Sequence, residues 1–192
     1  MSGTYPTTPS FSSVGFSSRS YNLMSESLSG RTQVRHIGGQ RFEFKATYPP
    51  ITATEFAPVN AFIMAQNGMA ETFQIVLPEI SVKSGNATGT VSTTASASIG
   101  ATTVAIDGLS GTLKAGDPIK FANHSKVYII ASDRAGNGTL TFYPALRSAL
   151  VNNEVLTYTN VPFTVRLQND IQKYTLGLAS LVKYEVDFIE AT

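Results

Sequence analysis

The sequence predicts a mainly β protein: a β-sandwich or barrel domain with one packed α-helix, plus an inserted small β-barrel-like domain. Three observations predict it. Two stretches alternate cleanly, Gln40–Tyr48 and Val182–Ile189, with apolar residues at every second position. Short apolar runs recur between Thr102 and Thr159, punctuated by Asp107-Gly108, Ala115-Gly116-Asp117, Asn123-His124 and Gly136-Asn137-Gly138. Between these regions lies one stretch of helical spacing after Pro49-Pro50.

The first 20 residues are Ser, Thr, Pro and Gly with the aromatics Tyr5, Phe11 and Phe16. They show no period. They are read as an N-terminal arm, either a disordered tail or an extended segment whose rings anchor on a neighbouring subunit. Tyr21–Ser27 reads as a first strand and Thr32–Ile37 as a second. Gly38-Gly39 then suits a two-residue hairpin, since glycine takes positive φ freely. In the next strand Phe42, Phe44, Ala46 and Tyr48 share one face, and Arg41, Glu43 and Lys45 the other.

Thr52 and Glu55 have the spacing of a capping box. Pro58 argues for a later start, because proline is best tolerated in the first turn. The helix is therefore expected over Thr54–Gln66, stopped by Asn67-Gly68, with Phe56, Val59, Phe62 and Ile63 on the sheet. Glu71–Leu77 reads as a strand ended by Pro78. Residues 81–100 are almost all small and polar, as in a linker or a weak edge hairpin. Thr102–Ile106, Pro118–Phe121, Lys126–Ser132, Thr139–Tyr143 and Val155–Thr159 read as five short strands. The longer strands return with Val161–Gln168. The domains expected are residues 21–80 together with 160–192, and residues 81–159 inserted between them.

Charged residues make up 14% of the 192-residue chain, against ~25% in an ordinary soluble domain. A sparse charge suits a protein in permanent contact with neighbours. The net charge of +1 creates no field that draws nucleic acid or an anionic surface. There is no cysteine, hence no disulfide framework and no thiolate nucleophile or metal ligand. No apolar run has the length of a membrane span, and the start does not read as a signal peptide.

No chemistry-bearing constellation stands out. His36 and His124 are the only histidines, one in a strand and one in a turn, and neither has a second metal-type ligand nearby in the sequence. Asp107, Asp117, Asp133 and Asp170 sit at turns or strand ends, where aspartate bonds backbone. There is no G-x-S-x-G elbow, calcium loop or phosphate loop. We expect no enzyme, no cofactor and no metal. Arg19, Arg31, Arg35, Arg41 and Lys45 gather in the early β region. With Glu26 and Glu43 they form either a solvated face or an inter-subunit ion-pair surface. The subunit-interface candidates are Arg19, Arg31, Arg35, Arg41, Glu43 and Lys45.

The order of several features resembles the distal tail proteins of long-tailed bacteriophages. The features are Gly38-Gly39-Gln40-Arg41 with Phe42 and Phe44, then Thr54-Glu55-Phe56, Phe62, Gly68, Glu71-Thr72-Phe73 and the closing VKYEVDFIE. The stretches LKAGDPIKFANHSKVYIIASD and TLTFYPAL resemble small β modules that decorate phage tail proteins. Together the resemblance spans residues 20–192. It implies a structural virion protein, assembled in the host bacterial cytoplasm. It would form a homohexameric tail ring joining the tail tube protein to the tip or baseplate hub proteins. No membrane contact and no sequence-specific nucleic-acid contact is implied, although the genome would pass through the lumen. The alternatives are another tail layer, tube or baseplate, or a carbohydrate-binding or adhesion module on the virion.

Overall fold

In the computed structural model, which describes residues 3–177 and 180–192, the longest elements are two antiparallel strands. They are β1 (Ser13–Glu26) and β2 (Thr32–Thr47). Their turn is Ser27–Arg31, not Gly38-Gly39. The Ser27 N–H donates to the Arg31 carbonyl at 3.0 Å, and the Arg31 N–H to the Ser27 Oγ at 3.2 Å. Gly30 supplies the left-handed residue, with φ 76°. Gly38 and Gly39 do adopt positive φ, 87° and 79°, but inside β2. Ser20 pairs with Gln40 and Asn22 with His36, so three residues of β2 oppose Tyr21 alone. A bulge and a tight turn ask the same φ of glycine, and sequence cannot separate them.

β1 also begins well before Tyr21, within the segment expected as an arm. Tyr5 is buried in the core. Its N–H donates to the Gln74 carbonyl at 2.7 Å, and the Gln74 N–H to the Gly3 carbonyl at 3.0 Å. Its ring stacks on Phe11 and Phe73 and meets Phe62 and Phe188 edge-on. The arm's aromatics anchor on their own chain.

The main sheet adds β3 (Ile51–Thr52), β4 (Phe73–Ile75), β13 (Phe163–Leu167), β14 (Tyr174–Leu176) and β15 (Leu181–Glu190). Its path is β1-β2-β15-β13-β4, with β14 and β3 on the early half of β15. The alternation foreseen in β2 and β15 sets the register: Phe44 opposes Phe188 and Ala46 opposes Val186, all inward and buried. Helix α1 (Ala53–Ala65) covers this face through Phe56, Val59 and Ile63.

α1 starts one residue earlier than the expected Thr54, and Pro58 lies inside it. Thr52 is the N-cap: the Glu55 N–H donates to Thr52 Oγ1 at 3.3 Å, and the Thr52 N–H to Glu55 Oε2 at 2.9 Å. The reciprocal cap and the buried stripe outweigh the lost proline N–H. Phe62 is half-buried rather than a core residue. It meets Tyr5 and Phe73 edge-on from the margin, at centroid distances of 5.4 and 5.2 Å.

A second buried cluster runs from Ala87 to Tyr158. Its strands are β5 (Val91–Thr93), β6 (Thr103–Asp107), β7 (Thr112–Leu113), β8 (Pro118–Phe121), β9 (Tyr128–Ile130), β10 (Arg134–Ala135), β11 (Gly138–Tyr143) and β12 (Val155–Thr157). Six of them close a barrel in the order β11-β6-β5-β12-β8-β9, and β7 pairs with β10 beside it. The protein is therefore mainly β, with one helix and a small closed barrel, as the turn spacing predicts. Residues 81–100 are no linker: they carry β5 and the buried Ala87, Val91 and Thr93. The strand was hidden because β5 itself holds a single strongly apolar residue, Val91, beside Ser92 and Thr93.

Asp117 ties that segment down. Its carboxylate accepts the Ser84 N–H and Oγ–H, both at 2.7 Å, the Lys114 N–H at 2.9 Å and the Gly85 N–H at 3.3 Å. Burial opposes its ionisation, but these donors prevail and hold the carboxyl below its ordinary range.

Two predictions arise. Phe73→Ala removes a fully buried ring and should cost ~3–5 kcal/mol, and Phe62→Ala less than half of that, by denaturant unfolding. Because the Asp117 value is depressed in the fold, its contribution is complete above an ordinary Asp value of ~3.9 and is lost as pH falls through the folded value. Asp117→Ala should cost ~1–3 kcal/mol at neutral pH. Unfolding curves at descending pH should show that difference shrinking.

Candidate functional site

All six interface candidates lie on the β1–β2 hairpin. Arg19 is on β1, Arg31 closes the turn, and Arg35, Arg41, Glu43 and Lys45 are on β2. Register sorts them. Gly15 opposes Lys45, Ser17 opposes Glu43, Arg19 opposes Arg41 and Leu23 opposes Arg35, which puts the charged set on one face. Arg19 Nη1 meets Glu43 Oε1 at 3.2 Å, and Lys45 Nζ meets Glu185 Oε2 at 3.0 Å. The Lys45–Glu185 pair is exposed and Glu43 in the other is half-buried; such surface pairs are individually weak. The Glu185 carboxylate, by hydrogen bond and charge, holds the Lys45 ammonium above its ordinary value. Arg31 and Arg35 make no ion pair among the described residues. Glu26, the other acidic residue of this region, opposes Thr32 beside the turn.

The opposite face carries Phe16 against Phe44, Ser18 against Phe42, Asn22 against His36 and Met24 against Val34. At its root Phe42 and Phe44 enter the core. Beyond the bulge none of the described residues covers either face. Leu23, Met24, Val34 and Ile37 are 60, 70, 63 and 59% exposed, and Leu28 at the turn is wholly exposed. A lone two-stranded ribbon is marginal in water, and exposed apolar side chains in this number mark an interaction surface. The sequence reading named the charges here and missed these apolar residues. They fall on both faces of the ribbon and so show no alternation.

A cleft of about 550 Å³ separates the root of this face from the barrel, lined by Phe16, His36, Phe42, Ile129, Tyr143 and Pro144 among others. His36 Nδ1 lies 2.8 Å from Asn22 Oδ1, so it donates to that amide oxygen. His124 is buried, with Nδ1 2.9 Å from the Tyr128 hydroxyl. Among the described residues no three His, Cys, Asp or Glu side chains could hold a metal.

The barrel is fixed to the sheet by polar contacts that sequence reasoning did not single out. Val127 and Ile129 pack on the sheet core while Tyr128 and Ile130 fill the barrel. Between them the wholly buried Glu190 accepts from Lys126 Nζ, from the Val127 N–H at 3.1 Å and from the Phe42 N–H at 3.2 Å. Lys126 Nζ also lies 4.1 Å over the Phe42 ring. Burial pushes the Lys126 ammonium down to about 8, against the pull of Glu190. Lys120 Nζ donates to the Pro162 carbonyl and Thr164 Oγ1, each at 3.0 Å. A signal for this lock was in the sequence. Glu190 has the same parity as Val182, Tyr184, Val186 and Phe188, so it had to point inward.

No family model matches the chain, and no curated protein matches it significantly.

The lock makes a measurable prediction. Lys126→Met leaves a buried carboxylate without its counter-ion and should cost ~3–5 kcal/mol. Adding Glu190→Gln removes that charge and should return a large part of the loss. A double-mutant cycle by denaturant unfolding measures the coupling, expected at ~1–3 kcal/mol.

Proposed function

We propose that this protein is a structural virion component: a ring at the distal end of a phage tail, joining the tail tube to the tip or baseplate hub. The observation that carries the assembly part of this reading is the bare hairpin. Its distal half presents apolar side chains on both faces, and none of the described residues covers them. Such a ribbon gains stability when neighbouring copies bury it. Low charge density supports the same reading, and the tail location and the hexamer rest on the resemblance of its motif order to that of distal tail proteins. The barrel, locked to the sheet by Glu190 and Lys126, would present an outward surface on a rigid body. The role is mechanical, and no step of catalysis belongs to it.

Native mass spectrometry with negative-stain imaging tests the reading. Full-length protein should form a closed homo-oligomer. A variant with residues 22–36 replaced by a two-residue turn should keep its circular dichroism and remain monomeric. Full-length protein that stays monomeric at high concentration overturns the ring.

A further inference from the structure

We propose that the hairpin tip of one copy docks in a cleft on the outer face of the main sheet of a second copy, so that the subunits associate head-to-tail. This deepens the assembly reading and rests on it. The cleft, about 600 Å³, lies at the root of the hairpin's own sheet. Asp170, Glu185 and Asp187 line it with Lys173, and Lys45 pairs with Glu185 at its side, leaving Asp170 and Asp187 as the carboxylates free of an ion pair among the described residues. Ile171 and Met69 give it apolar edges, 71 and 40% exposed. The tip carries the complement. Among the described residues Arg31 and Arg35 make no ion pair, Glu26 is the one carboxylate of the tip, and Leu23 and Leu28 are exposed beside them. Cations with an apolar tip on one surface match carboxylates with an apolar edge on the other.

The two surfaces cannot meet within one chain. Asp187 pairs across the sheet with Lys45, whereas Arg31 sits in the turn just beyond the far end of the same strand. The intervening residues of β2 span on the order of 40 Å at strand rise. They are hydrogen-bonded to β1 over nearly all of that length. Such a ribbon does not double back, so the occupant is a second copy. An interface between two different patches of one chain is heterologous, and it closes into a ring when its rotation fits.

Charge reversal tests the pairing. One variant carries Arg31→Glu with Arg35→Glu, and the other Glu185→Lys with Asp187→Lys, all at exposed or half-buried positions. Each variant alone should need about tenfold or more higher concentration to assemble than the wild type. An equimolar mixture should assemble like the wild type, because each reversed surface then finds its opposite. Variants that assemble normally by native mass spectrometry overturn this docking and leave the ring reading standing. So does a mixture that fails to recover. A monomeric wild type overturns both. A second route avoids charge changes. The chain has no cysteine, so Leu28→Cys with Ile171→Cys should give a ladder of intermolecular disulfides on oxidation. Absence of that ladder, with the assembled state intact, counts against the docking.

Discussion

One buried carboxylate governs how the two cores are held together. Glu190 closes the last strand at 0% exposure and accepts from both sides of the junction: a backbone amide of the sheet, a backbone amide of the barrel and the Lys126 ammonium. An ionised group in such a place is costly unless every lone pair finds a donor. Its partners are therefore fixed in position by the penalty of losing them. The segment from Val127 to Ile130 becomes a common wall, with alternate residues in alternate cores. Rotation of the barrel would have to break the ion pair and unpack that wall together.

Much of the fold was legible where a period of two met an apolar composition. β2 and β15 were read correctly along their buried halves because Phe42, Phe44, Val186 and Phe188 alternate with charges. The barrel strands were visible through the turns between them. What stayed hidden had a physical reason each time. The capping box at Thr52 and the objection of Pro58 were both local signals, and the formed cap together with the packing of Phe56, Val59 and Ile63 outweighs the proline. β5 is written in Ser and Thr, which pack on a barrel wall but carry no apolar signature. The extended N-terminal segment is held by four ring contacts of Tyr5 to residues as distant as Phe188, and no local pattern encodes that.

The candidate surface was half legible. Its charges were clear from composition, and all of them fall on one ribbon. Its apolar side chains were not, because Leu23 and Met24 are adjacent and Val34 and Ile37 are three apart, so they fall on both faces and give no alternation. The buried junction was legible in principle. A strand whose parity carries four apolar residues and then Glu190 announces a carboxylate that must be neutralised inside.

The position of the N-terminal segment has a further consequence for how sheets meet. By pairing Thr4 with Gln74 it occupies the outer margin of β4, one terminus of the main path. The barrel, being closed, offers no free rim. The backbone donors and acceptors along that path are thus left open to a foreign strand chiefly on the outer side of β1. Growth by strand addition is polarised: the β4 terminus is sealed by the chain's own beginning, and the β1 terminus stays available.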